Sequence, residues 1–417
     1  MIPLDDAVAH VLAGCLPLPP ARMPVSPEAV GCVLAADVVA REPVPSFANT
    51  AMDGYAIRAA DVAAVPVTLP VVAEVAAGHP APRPLQPGEA MRIFTGAPMP
   101  EGADAVVMVE RTERRDGGKA VEIQLSVDPG NHVRDVGEDL HAGQRVFGAG
   151  DELTPARLGV LASLGIDEVE AHPRPRVGVM STGDELVVGP DPLQPGQIRD
   201  SNRPALLALV AQGGFVAVDL GRVPDDEAAI AAGLERGATT CDAVLTSGGV
   251  SMGDIDLVRV VLDRMGKMRW MQVAIRPAKP LAFGVIRAGN GRRRVPVFGL
   301  PGNPVSSLVS FELFARPGLR RLAGQPHPRL HRPRLAATAD EALARRPDGK
   351  VHLVRVVATA GERGVLHVRS SGGQGSHQLA AMARANALAV VPDGDGVRLG
   401  GQVEVILLEQ PPTQEWA

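Results

Sequence analysis

Two stretches decide the reading of this chain: Arg176-Val177-Gly178-Val179-Met180-Ser181-Thr182-Gly183-Asp184-Glu185 and Ala243-Val244-Leu245-Thr246-Ser247-Gly248-Gly249-Val250-Ser251-Met252-Gly253-Asp254-Ile255-Asp256. Each opens on a short apolar run suited to a buried strand and ends in glycines, hydroxyls and carboxylates. Between them, helical patterns at Pro204 to Gln212 and Glu227 to Arg236 flank a third apolar run, Phe215 to Leu220. Strands alternating with helices in this way predict right-handed βαβ units and a largely parallel, doubly wound sheet. A further strand, Val295 to Leu300, leads through Pro301-Gly302-Asn303-Pro304 into an apolar helix ending near Pro317.

Working outward, Gln325-Pro326-His327-Pro328 reads as a linker, because its prolines cannot continue a helix. Beyond it the runs Val351 to Val357, Val365 to Val368, Ala387 to Val391 and Val403 to Leu408 predict a small β-barrel or sandwich. Toward the N-terminus, Ser26-Pro27-Glu28 and Thr154-Pro155 each place a capping hydroxyl and a first-turn proline before an apolar stretch, predicting helices up to Leu34 and Gly165. The Pro- and Gly-rich span from Pro43 to Val136, with β-branched runs such as Val65 to Val75, predicts an all-β unit inserted between the two helical segments. The expected fold class is therefore multidomain α/β plus β. It has a discontinuous helical scaffold domain (1–44 and 136–168), an inserted β domain (45–135), a doubly wound α/β domain (169–325) and a C-terminal β domain (326–417).

Composition limits the functions available. Of 417 residues, 45% are apolar and 21% charged, with a net charge of only -5, so neither a nucleic acid nor an anionic membrane finds an electrostatic footprint. Aromatic residues make up 3%, too few for base-stacking platforms, and no apolar run approaches the roughly 20 residues that span a bilayer. The N-terminal Met1-Ile2-Pro3-Leu4-Asp5-Asp6 lacks the features of a secretory signal, and Cys15, Cys32 and Cys241 have neither metal-ligand spacing nor an even count. A cytoplasmic enzyme acting on a small ligand is the expectation.

In open α/β sheets, ligands bind beyond the C-terminal strand ends, where amides and helix N-termini are free. There the sequence collects Thr182 and Glu185, Asp225, and Ser247, Gly248, Gly249, Ser251 and Asp256. Glycines admit a phosphate to the backbone, hydroxyls donate to it, and carboxylates hold the Mg²⁺ that offsets its charge. Plainer readings stand beside this one. Gly248-Gly249 also fits a turn, Asp184 or Asp256 a helix cap, and Ser201 or Asn202 the cap of the helix near Pro204. Asp53-Gly54 fits a hairpin turn, and Arg276 with Lys279 a solvated pair as well as an oxyanion clamp. Gly249-Val250-Ser251-Met252-Gly253 matches a hydrolase nucleophile pattern, but Ser247-Gly248-Gly249 separates the serine from the strand.

Taken in order, several segments resemble the molybdopterin molybdenumtransferase family, whose eukaryotic relative is the gephyrin C-terminal domain. They are Asn49 to Ala56, Thr95-Gly96-Ala97-Pro98, Gly137-Glu138-Asp139, Ser181 to Leu186, Ser247 to Ser251, Gly299 to Ser306, Ser371 to Ser376 and Ala385-Asn386-Ala387. The resemblance implies a C-terminal β-barrel, and a homodimer whose active cleft lies between the α/β domain of one subunit and the β domain of the other. It implies insertion of molybdate into the dithiolene of adenylylated molybdopterin, with Mg²⁺ and release of AMP. Asp53, Thr95, Glu185, Asp225 and Asp256 would be catalytic, with Glu185, Asp225 and Asp256 on the metal. Asp139, Thr182, Ser201, Asn202, Ser247, Gly248, Gly249, Ser251 and Arg276 would hold substrate. Lys279, Pro280, Ser306, Arg355 and Ser376 would surround molybdate. Gln272 and Arg276 each stand where many members have lysine. A gephyrin-like scaffold without turnover and an adenylyltransferase are the competing readings, and other cofactor-biosynthesis proteins are the expected partners.

Overall fold

The computed structural model describes residues 1–249, 257–288, 293–361 and 364–412. Its α/β unit is built from α1 (Leu4–Gly14), β1 (Arg176–Thr182), α2 (Asn202–Gln212), β2 (Val216–Val223), α3 (Glu227–Thr240), β3 (Ala243–Ser247), α4 (Leu257–Met265), β4 (Gly266–Gln272), β5 (Pro280–Ala288), β6 (Arg293–Leu300) and α5 (Pro304–Ser310). The sheet order is β2-β1-β3-β6-β5-β4. The first three pairings are parallel, and β5 and β4 add an antiparallel edge that the periodicity reading had not resolved.

Helices cover both faces. On one, α1, α2 and the helical run that continues from α5 to Leu322 bury Ala7, Val11, Leu206, Val210, Phe314 and Leu319 against Phe283 and Phe298. On the other, Ile230, Leu234, Val258 and Leu262 of α3 and α4 pack on Val244 and Val297. Each fully buried Leu, Val or Phe contributes about 1.5–3 kcal/mol.

The first helix corrects the expected scaffold segment 1–44. It docks on the α/β core, and Ile2 binds the backbone of Gln272 and Ala274 at 2.8 Å each. The helix expected from Ser26 to Leu34 is also corrected. Only a 3-10 turn, Pro27–Ala29, forms, and Ser26 makes no capping bond. Gly31 turns the chain at φ 87°, and Val33–Leu34 instead pairs with Ala171 and His172. Tertiary strand pairing outweighs the local helix signal there. The helix at Thr154 does form, as Pro155–Ser163, with the Thr154 side chain accepting from the Arg157 N–H.

The Pro- and Gly-rich span folds into a six-stranded sheet with Gly54–Ile57 buried between Ala90–Ile93 and Ala105–Met108. At the other end Val351–Ala360 pairs with both Leu366–Ser370 and Ala387–Val391, which closes a five-stranded barrel with Arg334–Ala339 and Gln402–Leu407.

Three contacts fasten this barrel to the α/β unit. The short strand Ile275–Arg276 lies parallel to Val351 and His352, and the Val305 N–H donates to the Ser376 carbonyl at 3.1 Å. Glu312, buried in the helix after α5, accepts from Arg316 and from Arg332, which follows the linker, both at 2.6 Å.

Candidate active site

The strand ends gather one set of polar groups. Gly248 follows β3 at φ 99°, and a Cβ there would sit 2.9 Å from the Thr182 carbonyl, so the position takes only glycine. Asn202 donates through Nδ2 to Ser247 Oγ at 2.8 Å and to the Gly302 carbonyl at 2.7 Å, tying β3 to the loop before α5. Ser201 makes no capping bond. That role passes to Asp200, which accepts from the Arg203 N–H at 3.1 Å and from Ser181 Oγ at 2.6 Å.

Asp225 and Asp226 separate by role. Asp226 caps α3 by accepting from the Ala229 N–H at 2.8 Å, while Asp225 stays exposed at the end of β2. Asp184 and Asp225 each accept from the other's backbone N–H, at 3.2 and 3.4 Å. Glu185 is exposed, and its carboxylate lies over Gly183. Two exposed carboxylates therefore stand at the ends of neighbouring strands. Ser251 and Asp256, with the hydrolase-like pattern around Ser251, lie outside the described residues.

A second set meets at the junction of the α/β unit and the barrel. Arg276, Lys279, Pro280, Asn303 and Ser306 from one side face Lys350, Gln374 and Ser376 from the other, around a cleft of about 290 Å³. Among the described residues no carboxylate lines it. Arg276 and Lys279 share this cleft and are both exposed, so the solvated pair and the oxyanion clamp that the sequence allowed both stand.

Three of these residues escaped the sequence reading. Asn303 and Gln374 sit inside motifs already singled out, whereas Lys350 follows an Asp-Gly turn and carries no local signal. Its ammonium pairs with Asp348 at 3.0 Å, and that hydrogen bond, with a further one from His352, pulls the Asp348 carboxyl down to about 2.

Arg355 stands elsewhere. It is fully buried and lines an adjoining cavity of about 590 Å³ that shares Arg276 and Gln374 with the first. Its Nη2 donates to the Gly373 carbonyl at 2.8 Å and the Gly375 carbonyl at 3.2 Å, bracing the turn that presents Gln374 and Ser376. Burial lowers its pKa, and Nε and Nη1 are buried without a partner among the described residues. Gln272 ends β4 opposite Pro280, at the margin of the cleft.

A third set belongs to the inserted β unit. Thr95 donates to Asp53 Oδ1 through its N–H at 2.8 Å and its hydroxyl at 2.7 Å, which holds the Asp53 carboxyl below the usual carboxylate range. The hairpin-turn reading of Asp53-Gly54 does not hold. Gly54 opens a strand paired on both sides, and a Cβ there would lie 2.2 Å from the Val107 carbonyl. Asp139 is exposed in a loop whose backbone binds Val44. Among the described residues no hydrogen bond joins Asp53, Thr95 or Asp139 to the strand ends or the junction cleft.

Comparison with known proteins gives this arrangement a family. Residues 2–165 match the MoeA N-terminal region (domain I and II), 178–321 a probable molybdopterin binding domain, and 337–408 the MoeA C-terminal region (domain IV). A molybdopterin molybdenumtransferase 2 of Mycobacterium tuberculosis is 41% identical over 95% of this chain and 96% of its own length. The chain belongs to the molybdopterin molybdenumtransferase family. A molybdopterin molybdenumtransferase of Haemophilus influenzae is 37% identical over 97% of this chain and 98% of its own. The crystal structure of a molybdopterin biosynthesis MoeA protein from Pyrococcus horikoshii superposes with a TM-score of 0.78 at 29% identity, over 98% of this chain and all of that one. The multidomain α/β plus β fold expected from the sequence is the fold of this family.

Proposed function

We propose that the protein is a molybdopterin molybdenumtransferase of molybdenum cofactor biosynthesis, inserting molybdate into the dithiolene of adenylylated molybdopterin with release of AMP. The observation that carries this reading is the junction cleft. Lys279, Arg276 and Lys350 supply cations, Ser306, Ser376, Asn303 and Gln374 supply donors, and among the described residues no carboxylate lines the cleft, Asp348 lying behind Lys350. Family membership supports the same reaction for the whole chain.

Each set of residues has a task in this reaction. Lys279, Pro280, Ser306 and Ser376 hold molybdate, and Arg355 orients the Gly373–Gly375 turn beneath Ser376. Thr182, Ser201, Asn202, Ser247, Gly248, Gly249, Ser251, Asp139 and Arg276 bind the pterin phosphate and adenylate. Asp53, Thr95, Glu185, Asp225 and Asp256 act around the pyrophosphate. Exposed carboxylates are the hard oxygen donors that Mg²⁺ takes, so Glu185 and Asp225, with Asp256, would hold it. When bound, the ion offsets the charge of the pyrophosphate. Asp53 and Thr95 reach this centre from the β unit of a second copy, which makes a homodimer part of the reading. Its setting is the cytoplasm, with other enzymes of the pathway as partners. Among the described residues no helix is long and apolar enough to cross a membrane. The four-unit division of the chain is kept, with α1 counted to the α/β unit.

The test mixes purified protein with adenylylated molybdopterin, Mg²⁺ and molybdate, and follows adenylate release together with molybdenum on the dithiolene. Coupled release and insertion support the transferase. Substrate binding with neither event would replace this reading with a scaffold, and activity retained by residues 170–325 alone would point to adenylyl transfer.

A further inference from the structure

On the α1 side of the sheet, away from both polar sets, lies a groove of about 440 Å³. It lies between His10 and Gly14 of α1 and Lys267, Phe283, Arg287 and Arg294 of the sheet. Its construction follows from register. Lys267 faces Val285, Arg269 faces Phe283 and Arg287 faces Arg294, so these side chains share one face of the antiparallel edge β4-β5-β6. The helix stops short of covering that face. At Gly14 a Cβ would sit 2.4 Å from Phe283, so α1 packs tightly on the ring, with His10 edge-on to it at 5.7 Å. The sheet beyond is open.

The charge on this open face is one-sided. Lys267, Arg269, Arg287 and Arg294 are all exposed, and among the described residues none forms an ion pair. Among the described residues no acidic side chain lines the groove. Arg287 and Arg294 are directly cross-strand, an arrangement that opposes sheet stability unless an anion lies between them. Beneath the cations the floor is apolar: Phe283, Val285 and Met265. β4 is also the last strand of the sheet, and Lys267 and Arg269 sit two residues apart along it. An extended chain presents its alternate side chains at the same period.

We propose that this groove docks an extended acidic segment of a partner protein, with carboxylates at alternate positions meeting Lys267, Arg269, Arg287 and Arg294 and one apolar side chain seated on Phe283 and Val285. This surface is separate from the transferase site, so its loss leaves molybdenum insertion intact.

The probe is a fluorescein-labelled peptide of alternating aspartate and glutamate with one central leucine, titrated with the full-length protein and read by anisotropy. Binding should weaken as salt rises and fall at least about tenfold in the Lys267→Glu, Arg294→Glu double variant. It should fall several-fold when serine replaces the leucine, while insertion activity stays at the parent level. Circular dichroism checks folding. If the glutamate variant does not fold, Lys267→Gln with Arg294→Gln reads the same loss. Equal binding by either folded variant, equal binding by the leucine-free peptide, or equal competition by inorganic polyphosphate would overturn the proposal in favour of plain ion exchange. A change in sedimentation between parent and variant would overturn it too, by assigning the groove to a second copy of the chain.

Discussion

The junction cleft and the strand-end rim solve opposite electrostatic problems with opposite degrees of preparation. In the cleft, cations and donors from two folding units converge, and backbone pairing between Ile275–Arg276 and Val351–His352 holds the two walls together. On the rim, Glu185 and Asp225 are exposed carboxylates on one sheet edge, and the family acids Asp53 and Asp139 belong to a separate part of the same chain. On the function proposed above, the site for a small anion is assembled within a single chain, whereas the acidic centre takes further groups from a second copy. Anion recognition should depend on how the barrel is docked, and the acidic centre should not.

Five variants test that contrast. Lys279→Ala should reduce molybdenum insertion about 100- to 1000-fold, the loss typical of removing one preorganised charge donor, with substrate binding retained. Parent-level insertion would remove the cleft from the reaction.

Glu312→Gln should cost about 3 kcal/mol in urea unfolding, because Arg316 and Arg332 would be left in a buried site without their carboxylate. Burial alone would raise the Glu312 pKa, but the bonds from Arg332 and Arg316 lower it below its ordinary 4.5. Its contribution is therefore present above about pH 4.5 and disappears as pH falls through the lower folded value. Parent and variant stabilities should converge on acidification. The same variant should weaken molybdate binding and leave the Mg²⁺ titration unmoved; equal losses in both would erase the distinction between cleft and rim.

Asp225→Asn should raise the Mg²⁺ concentration for half-maximal turnover about tenfold. Asp226→Ala, one residue away, should instead lower stability by about 1 kcal/mol through loss of the α3 cap, without changing the Mg²⁺ dependence. The smallest effect is expected for Lys350→Ala, a several-fold rise in the KM for molybdate at nearly constant kcat, since one cation among three is lost.

What could be read from the sequence depended on range. Strand ends with their glycines, hydroxyls and acids are local patterns, so Thr182, Ser247, Gly248 and Asp225 were found where short strands run into polar loops. The separation of Asp225 from its capping neighbour was not legible, because both are acids at a helix start and only geometry assigns the cap. Lys350 was invisible for a different reason. It enters the cleft through the pairing of Val351 with Ile275, and no periodicity reports a contact between such distant residues. The same long-range competition turned Val33–Leu34 into a strand despite a helix signal, and drew α1 away from the segment that follows it. Arg355 is marked in the sequence only by the family resemblance. Its burial and its hold on the Gly373–Gly375 turn came only with the fold.

The bridge between Ile275–Arg276 and Val351–His352 makes ligand occupancy and barrel attachment a single equilibrium. An anion that touches both walls binds only the attached form, so at 100 times its dissociation constant it adds about 2.7 kcal/mol to attachment. A mutation that loosens the barrel lowers anion affinity in proportion to the attached fraction it removes, however far it lies from Lys279. On the function proposed above, the cleft reports whether its own protein is fully assembled: a chain whose barrel has let go keeps only one of the two walls that grip the oxyanion.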